Sequence, residues 1–297
     1  MKYPMLKGCI FAVCSAVIYG SMPLMAKSIY ADGVNAFTLV FLRNLFSLIP
    51  LGILAFQEQK TLKIPRALVP SVSLMALLGC CITPILLFSS YSFIPSGLAT
   101  VFHFAYPSFV ILMEIVFLRK KVRAASLISI LLCIAGISMF YKPEDAFHPA
   151  GGALALLSGV TFAVYVVLVS RFDKRRLSGF LFTFYIALAS SIFTLVICIA
   201  TNTLVFPASL FGWGMCVLFS LLVTTCATVL FQQSIFLIGG EVSSILSTLE
   251  PITSVIIGVV IFREPFGLIP FAGTILVILA SVITVFFNLI KRENPSL

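Results

Sequence analysis

The sequence predicts an all-α integral membrane protein with ten transmembrane helices, arranged as two five-helix repeats of inverted topology. Two observations support this fold class. Apolar residues make up 61% of the 297 residues and charged residues only 10%, whereas a soluble domain carries about 25% charged residues. The second observation is an internal repeat, in which Gly8 aligns with Gly152 and Pro107 with Pro251, each pair 144 residues apart.

Long uncharged runs give the number of spans. Nineteen uncharged residues separate Lys7 from Lys27, 47 run from Ala67 to Met113, and 64 run from Leu177 to Gly240. Because a bilayer-spanning helix needs about 20 apolar residues, each of the two longer runs contains two spans. We predict ten spans, at about 8–28, 34–56, 69–93, 96–118, 124–141, 150–170, 178–200, 209–238, 241–262 and 268–290.

The repeat divides the chain into residues 1–144 and residues 145–297, with five spans in each. Because five is odd, the second repeat enters the membrane from the side opposite to the first. Inverted repeats of this kind are common in secondary transporters, where they allow two related conformations that open to opposite sides. The alternative interpretation is a gene duplication that persists only for packing.

Basic residues orient the spans. With a cytoplasmic N-terminus, 15 of the 19 Lys and Arg residues fall in inside loops or termini, as the positive-inside rule requires. We therefore expect both termini in the cytoplasm and the chain in the cytoplasmic (inner) membrane of a bacterium. The first apolar run has no good small-residue cleavage site, which favours a retained helix over a signal peptide. The inside residues are Lys2, Lys7, Lys60, Lys63, Arg66, Arg119, Lys120, Lys121, Arg123, Arg171, Lys174, Arg175, Arg176, Lys291 and Arg292.

The residue inventory argues against an enzyme and against a cofactor. All eight cysteines fall within predicted spans without metal-ligand spacing, and the three aspartates fall in loops. The sequence contains no HExxH, GxSxG or P-loop motif. The net charge of +9 follows from the inside loops and does not indicate nucleic acid. The expected partners are a small-molecule substrate and the lipid bilayer.

Glu250 is the most informative charge inside the membrane. A carboxylate at mid-span costs about 2.5–3.5 kcal/mol on insertion scales, so such residues are usually functional. Pro251 follows it and, lacking an N–H, is expected to free the carbonyl of Ser247. The hypothesis is a site for a proton or a substrate cation. The alternative is a carboxylate that is ion-paired with Arg43 or held neutral for packing.

The repeat predicts a partner site in span four. Tyr106 aligns with Glu250 and His103 with Ser247, and Pro107 is expected to free the His103 carbonyl. Broken helices at matching positions of two halves are the best sequence indication of a transport site. For His103, a substrate contact and a simple packing role stay equally open.

The remaining candidate site residues are less specific. Arg43, in span two, is predicted to balance the charge of Glu250, to bind an anionic group or to reach towards water. Amides and phenols could line a polar cavity or hydrogen-bond between helices, and these candidates are Gln232, Gln233, Tyr19, Tyr91 and Tyr165. Small residues in spans five and ten could support a homodimer or serve internal packing, and they are Ala135, Gly136, Gly273 and Ala280.

Motifs along both halves resemble the EamA-type unit of the drug/metabolite transporter superfamily. In the first half these are Gly8, Tyr19-Gly20-Ser21, Lys27, Phe41-Leu42-Arg43, Tyr91-Ser92-Phe93-Ile94 and Tyr106-Pro107. In the second half they are Phe236-Leu237-Ile238-Gly239, Leu249-Glu250-Pro251, Phe262-Arg263-Glu264 and Phe271-Ala272-Gly273-Thr274. The first half departs from the family in two places, with Arg119-Lys120 where an acid ends helix four and Tyr106 where an acid precedes the proline.

The resemblance implies a ten-helix carrier with a central cavity lined by helices one to four and six to nine. Family members mostly export amino acids, metabolites or drugs, and some import. We therefore expect a secondary active exporter of a small polar or amphipathic metabolite, working by alternating access and coupled to protons if Glu250 titrates. A lipid-handling flippase or an uptake carrier of the same fold is the alternative.

Overall fold

The computed structural model describes residues 2–94, 96–118, 124–139, 148–173 and 177–253, with 256 and parts of 268–283. The predicted inside cluster 119–123 and the motif at 262–264 lie outside the described residues. Every regular element of the described chain is a helix. In chain order these are α1 (Lys2–Gly20), α2 (Met22–Ala31), α3 (Ala36–Gln59), α4 (Val69–Met75), α5 (Thr83–Ser90), α6 (Ser96–His103), α7 (Tyr106–Leu118), α8 (Ala124–Ser138), α9 (Pro149–Arg171), α10 (Gly179–Ala200), α11 (Leu210–Phe219), α12 (Thr228–Ile238) and α13 (Gly240–Leu246).

Six helical runs of the described chain are long and apolar enough to cross a membrane. They run Pro4–Ala31, Ala36–Gln59, Arg66–Ser90, Pro149–Arg171, Gly179–Ala200 and Leu210–Ile238. Each coincides with a predicted span, and these are spans one, two, three, six, seven and eight. Spans four and nine are interrupted, as their prolines predict. Spans five and ten extend into residues that are not described.

Polar caps fix where several spans begin. The Asn35 side chain accepts a hydrogen bond from the Thr38 N–H at 3.0 Å and starts α3. The Ser178 and Ser209 hydroxyls accept in the same way from the third following N–H, and they start α10 and α11. Such caps satisfy one of the N–H groups that a helix start leaves unpaired. Each span therefore starts within a few residues of its predicted boundary.

Spans three and eight each contain a π-helical segment that the sequence analysis missed. The first π segment is Ala76–Ile82 and the second is Ser220–Ala227, so their starts are 144 residues apart. Pro84 has no N–H for the Cys80 carbonyl, and the Asn44 side chain donates to that carbonyl at 3.2 Å instead. The second π segment has no proline. The repeat thus preserves a distortion of the helix at matched positions.

The two halves interlock through their first and third spans. Span one packs along α12, and span six packs along α5. Gly8 lies so close to Ile238 that an added Cβ would be 2.5 Å from its side chain, and Gly151 is similarly close to Phe93, at 2.7 Å. The contacted pairs 93–94 and 237–238 are again 144 residues apart. Spans two and seven, α3 and α10, form the most extensive helix pair between the halves.

The loop between spans one and two is fastened to the loop between spans seven and eight. The carbonyl of Thr203 accepts hydrogen bonds from the Asn35 amide at 2.5 Å and from the Thr38 hydroxyl at 3.1 Å. The Asp32 carboxylate accepts from the Ser209 N–H at 3.0 Å. The hydrogen bonds from Ser209 lower the pKa of Asp32 below its usual range. Both loops therefore lie on one face of the protein, as ten alternating spans require.

Candidate functional site

The two proline-interrupted spans break where the sequence predicts. In span four, α6 ends at His103 and α7 begins at Tyr106. In span nine, α13 ends at Leu246, and helix resumes at Leu249 after a two-residue turn. These breaks bring turns of backbone into the middle of the helix assembly.

The sequence predicts that Pro251 and Pro107 free the carbonyls of Ser247 and His103, and the structure matches this prediction only in part. The Ser247 carbonyl accepts a hydrogen bond from the Glu250 N–H at 2.9 Å, because the tight turn replaces the helical partner that Pro251 removes. The His103 carbonyl lies against Gly159, where an added Cβ would be only 2.8 Å from it. The polar character of the site therefore comes from side chains more than from bare carbonyls.

A cavity of about 60 Å³ lies between the two breaks. A water needs about 10–15 Å³ measured in this way, so the cavity has room for roughly four to six waters. Seven of the ten predicted site residues line it: Tyr19, Arg43, His103, Tyr106, Tyr165, Ser247 and Glu250. The wall is completed by residues of spans one, three, six and eight, and these are Met22, Gly79, Cys80, Thr83, Pro84, Leu87, Phe88, Phe162, Thr228 and Phe231.

Glu250 and Arg43 share this cavity without forming a salt bridge in the part of the chain that the structure describes. Arg43 is 5% exposed, its guanidinium carbon lies 6.0 Å from the centre of the Phe88 ring, and its Nε has no hydrogen-bond partner. Glu250 is half-buried, and Gly20 packs directly against its carbonyl. A buried charge without a partner is costly, so both groups are available to an opposite charge that enters the cavity.

Hydroxyl groups connect the two interrupted spans. The Tyr106 hydroxyl hydrogen-bonds the Ser247 hydroxyl and lies 3.3 Å from the Ser244 carbonyl. This contact crosses between the halves, because Tyr106 belongs to the first and Ser247 to the second. His103 is 8% exposed, and its Nδ1 lies 2.8 Å from the Ser158 hydroxyl in span six. Tyr106, His103 and Ser247 thus meet around the cavity as the repeat predicts.

An aromatic wall surrounds Phe162. Its ring lies 4.8 Å from Tyr106 edge-on, 5.6 Å from Tyr165 and 5.7 Å from Phe231, the last at an interplanar angle of 13°. No phenylalanine is assigned a role from the sequence, because composition does not distinguish a cavity-lining phenylalanine from the others among the 29. The spacing of Phe162 three residues before Tyr165 places both on one helix face, which is the signal that could have identified it.

Three predicted site residues do not line the cavity. Gln232 is fully buried behind the wall, where it donates to the Tyr165 hydroxyl at 2.8 Å and accepts from the Thr183 hydroxyl. Gln233 instead packs against Gly179. The Tyr91 ring packs against Phe88 at 5.9 Å. Adjacent glutamines on a helix point about 100° apart, so only one of them could support the site.

The small residues of spans five and ten meet within the chain. A Cβ added to Gly273 would lie 2.5 Å from the Gly136 carbonyl, and Ala280 is fully buried. Gly136, Gly273 and Ala280 therefore serve internal packing, which was one of the two interpretations, whereas Ala135 is exposed. A homodimer through these spans stays a prediction.

Comparison with known proteins decides the family. The model of the EamA-like transporter family matches residues 6–142 and residues 149–286. The chain belongs to the EamA-like transporter family. The resemblance noted from the motifs is thus confirmed, and the protein is a membrane transporter.

Relatives of this EamA-like transporter are also named as transporters. An uncharacterized transporter of Clostridium kluyveri is 19% identical over 98% of this chain and 96% of its own. The uncharacterized Bacillus subtilis transporter YetK is 24% identical over 64% of this chain, a match that spans 58% of YetK. A crystal structure of a protein 18% identical superposes with a TM-score of 0.79 over 97% of this chain and 98% of its own. That likeness shows the fold.

Proposed function

We propose that this transporter is a secondary active exporter of a small polar or amphipathic metabolite, with both termini in the cytoplasm. The cavity between the two interrupted spans is the substrate site, and it opens alternately to either face. The proposal rests mainly on Glu250, a half-buried carboxylate that lines the central cavity without a salt bridge among the described residues.

Glu250 has two properties that proton coupling needs, which are access to water and a carboxylate that a cationic substrate group can also bind. Its carboxylate faces a cavity that holds a few waters, so a proton can reach it when one face opens. A cationic substrate group and a proton would then compete for the same carboxylate, which links outward movement of one to inward movement of the other. Arg43 balances the charge of Glu250 across the cavity, and Tyr106, His103 and Ser247 supply hydrogen bonds to the substrate.

The aromatic wall favours an organic substrate over an inorganic ion. Phe162, Phe231 and Tyr165 offer ring faces, which attract both apolar groups and the face-on approach of a cation. The cavity of about 60 Å³ is smaller than typical ligand sites of about 300–1,000 Å³. The substrate therefore enters a conformation in which the wall has moved apart.

The decisive experiment is transport by the Glu250→Gln variant in proteoliposomes. The substrate is first identified by a thermal-shift screen of amino acids, amines, nucleosides and drugs, since a bound ligand raises stability by mass action. We expect proton-driven transport by the variant to fall to background while the protein stays folded. Glu241→Gln is the matched control, because Glu241 begins the same span outside the cavity. Near-normal coupled transport by Glu250→Gln would refute the role of Glu250.

A further inference from the structure

The two π segments are built alike in ways that the repeat alone does not explain. Each segment is followed directly by a threonine, Thr83 or Thr228, whose hydroxyl donates to the carbonyl five residues earlier. The Thr83 hydroxyl is 2.7 Å from the Leu78 carbonyl, and the Thr228 hydroxyl is 3.0 Å from the Val223 carbonyl. In a π segment, each backbone hydrogen bond joins residues five apart, whereas in an α-helix it joins residues four apart. Helices kink at such segments, and they occur frequently at functional sites.

Each of these threonines also contacts the opposite half of the protein. The Thr83 hydroxyl lies 2.7 Å from the Thr161 hydroxyl of span six, and the Thr228 hydroxyl lies 2.9 Å from the Tyr19 hydroxyl of span one. We name these hydrogen bonds the 83–161 clamp and the 228–19 clamp. Thr83, Thr228 and Tyr19 line the central cavity, so both clamps lie beside the substrate site.

The π segments separate helix portions that pack on different helices. In span three, α4 packs on span seven, whereas α5 packs on span six. In span eight, α11 packs on spans one and two, whereas α12 packs along the cytoplasmic part of span one. With the predicted orientation, the α5 contact closes the outer face and the α12 contact closes the inner face. The close approaches at Gly151 and Gly8 lie at these two ends.

We infer that the π segments are paired hinges of the transport cycle, and that the 83–161 and 228–19 clamps hold the outer and the inner face closed. Bending at Ala76–Ile82 moves α5 away from span six and opens the outer face, while α4 stays on span seven. Bending at Ser220–Ala227 moves α12 away from span one and opens the inner face. Thr83 and Thr228 are positioning residues, and the inference rests on the proposed alternating access.

The inference predicts opposite effects for two similar substitutions. Thr83→Val and Thr228→Val keep the side-chain shape and remove the hydroxyl. Cys80 lines the cavity, so a variant with Cys80 as its single cysteine reports access from either face. We expect Thr83→Val to increase the labelling rate of Cys80 by a membrane-impermeant methanethiosulfonate in whole cells. Thr228→Val should increase it in inverted vesicles instead. A clamp hydrogen bond of ordinary strength corresponds to about a 2- to 12-fold change.

Controls separate hinge release from general loosening. Thr83→Ser and Thr228→Ser retain the hydroxyl and should restore the parental labelling rates. Ser191→Ala removes a buried hydroxyl that bonds only within its own helix, at 2.8 Å to the Ala187 carbonyl, and should leave both rates unchanged. Equal increases at both faces for each valine variant, or no change for either, would overturn the inference. Labelling needs no substrate, so failure of the Glu250 assignment would leave this result intact.

Discussion

Gly79→Ala tests how tightly the cavity wall is packed. A Cβ on Gly79 would lie 2.3 Å from two atoms of the Tyr165 ring, and ordinary contact begins near 3.4 Å. The ring must therefore retreat by about 1.1 Å, the difference between the two distances. Tyr165 is only 1% exposed, and Phe162 packs against it while Gln232 bonds to it. The ring can therefore retreat only by disturbing these contacts or by moving into the cavity that it lines.

Overpacking of this kind costs about 1–3 kcal/mol. We expect Gly79→Ala to lower the thermal unfolding midpoint in detergent by several degrees and to weaken substrate-induced stabilisation. Gly214→Ala is the matched control, because a Cβ there meets nothing within 4 Å and alanine favours a helix by about 1 kcal/mol over glycine. Equal midpoints for the two variants would refute the packing argument.

Two further substitutions test buried and exposed polar contacts. Gln232→Leu should destabilise the protein by about 1–3 kcal/mol, because it removes the hydrogen bond to the Tyr165 hydroxyl and leaves the Thr183 hydroxyl only its bond to the Gly179 carbonyl. In a double-mutant cycle of denaturant midpoints, its effect should shrink when Thr183 is already valine, and strict additivity would contradict the contact. Asp32→Asn should lower the unfolding midpoint at neutral pH. Because hydrogen bonds from Ser209 lower the pKa of Asp32 from 3.8, the carboxylate stabilises the fold above that pH. The difference from wild type should therefore shrink as pH falls below about 4 and vanish only below the lowered pKa of folded Asp32, and a pH-independent difference would count against it.

Charge spacing was enough to place the spans, because hydrocarbon enforces a minimum length on every apolar run. The breaks at His103 and Ser247 were also predictable, since proline removes an N–H wherever it stands. The π segments were not. Only the first segment has a proline close to it, Pro84. The second depends on Thr228 and on contacts with span one that appear only after folding.

Site residues were predictable where the residue type itself is unusual in a membrane. Glu250, Arg43 and His103 stand out against an apolar background, and the repeat then leads to Tyr106 and Ser247. Phe162 and Phe231 do not stand out, because a phenylalanine that lines a cavity has the same composition signal as one that faces lipid. Gln232 and Gln233 are neighbours on one helix and point in directions about 100° apart. The sequence does not show which direction faces the cavity, so it could not distinguish the two.

The carboxylate of Glu250 has no acidic counterpart in the first half, where Tyr106 occupies the matching position. Under the proposed alternating access, the outward-open and inward-open forms of this protein would therefore differ in energy, in population and in affinity for the substrate. Microscopic reversibility nevertheless forbids such asymmetry from driving net flux. In the proposed cycle, such asymmetry would set only which half-cycle is slow and at which concentration each face saturates, and a coupled gradient would set the direction of accumulation.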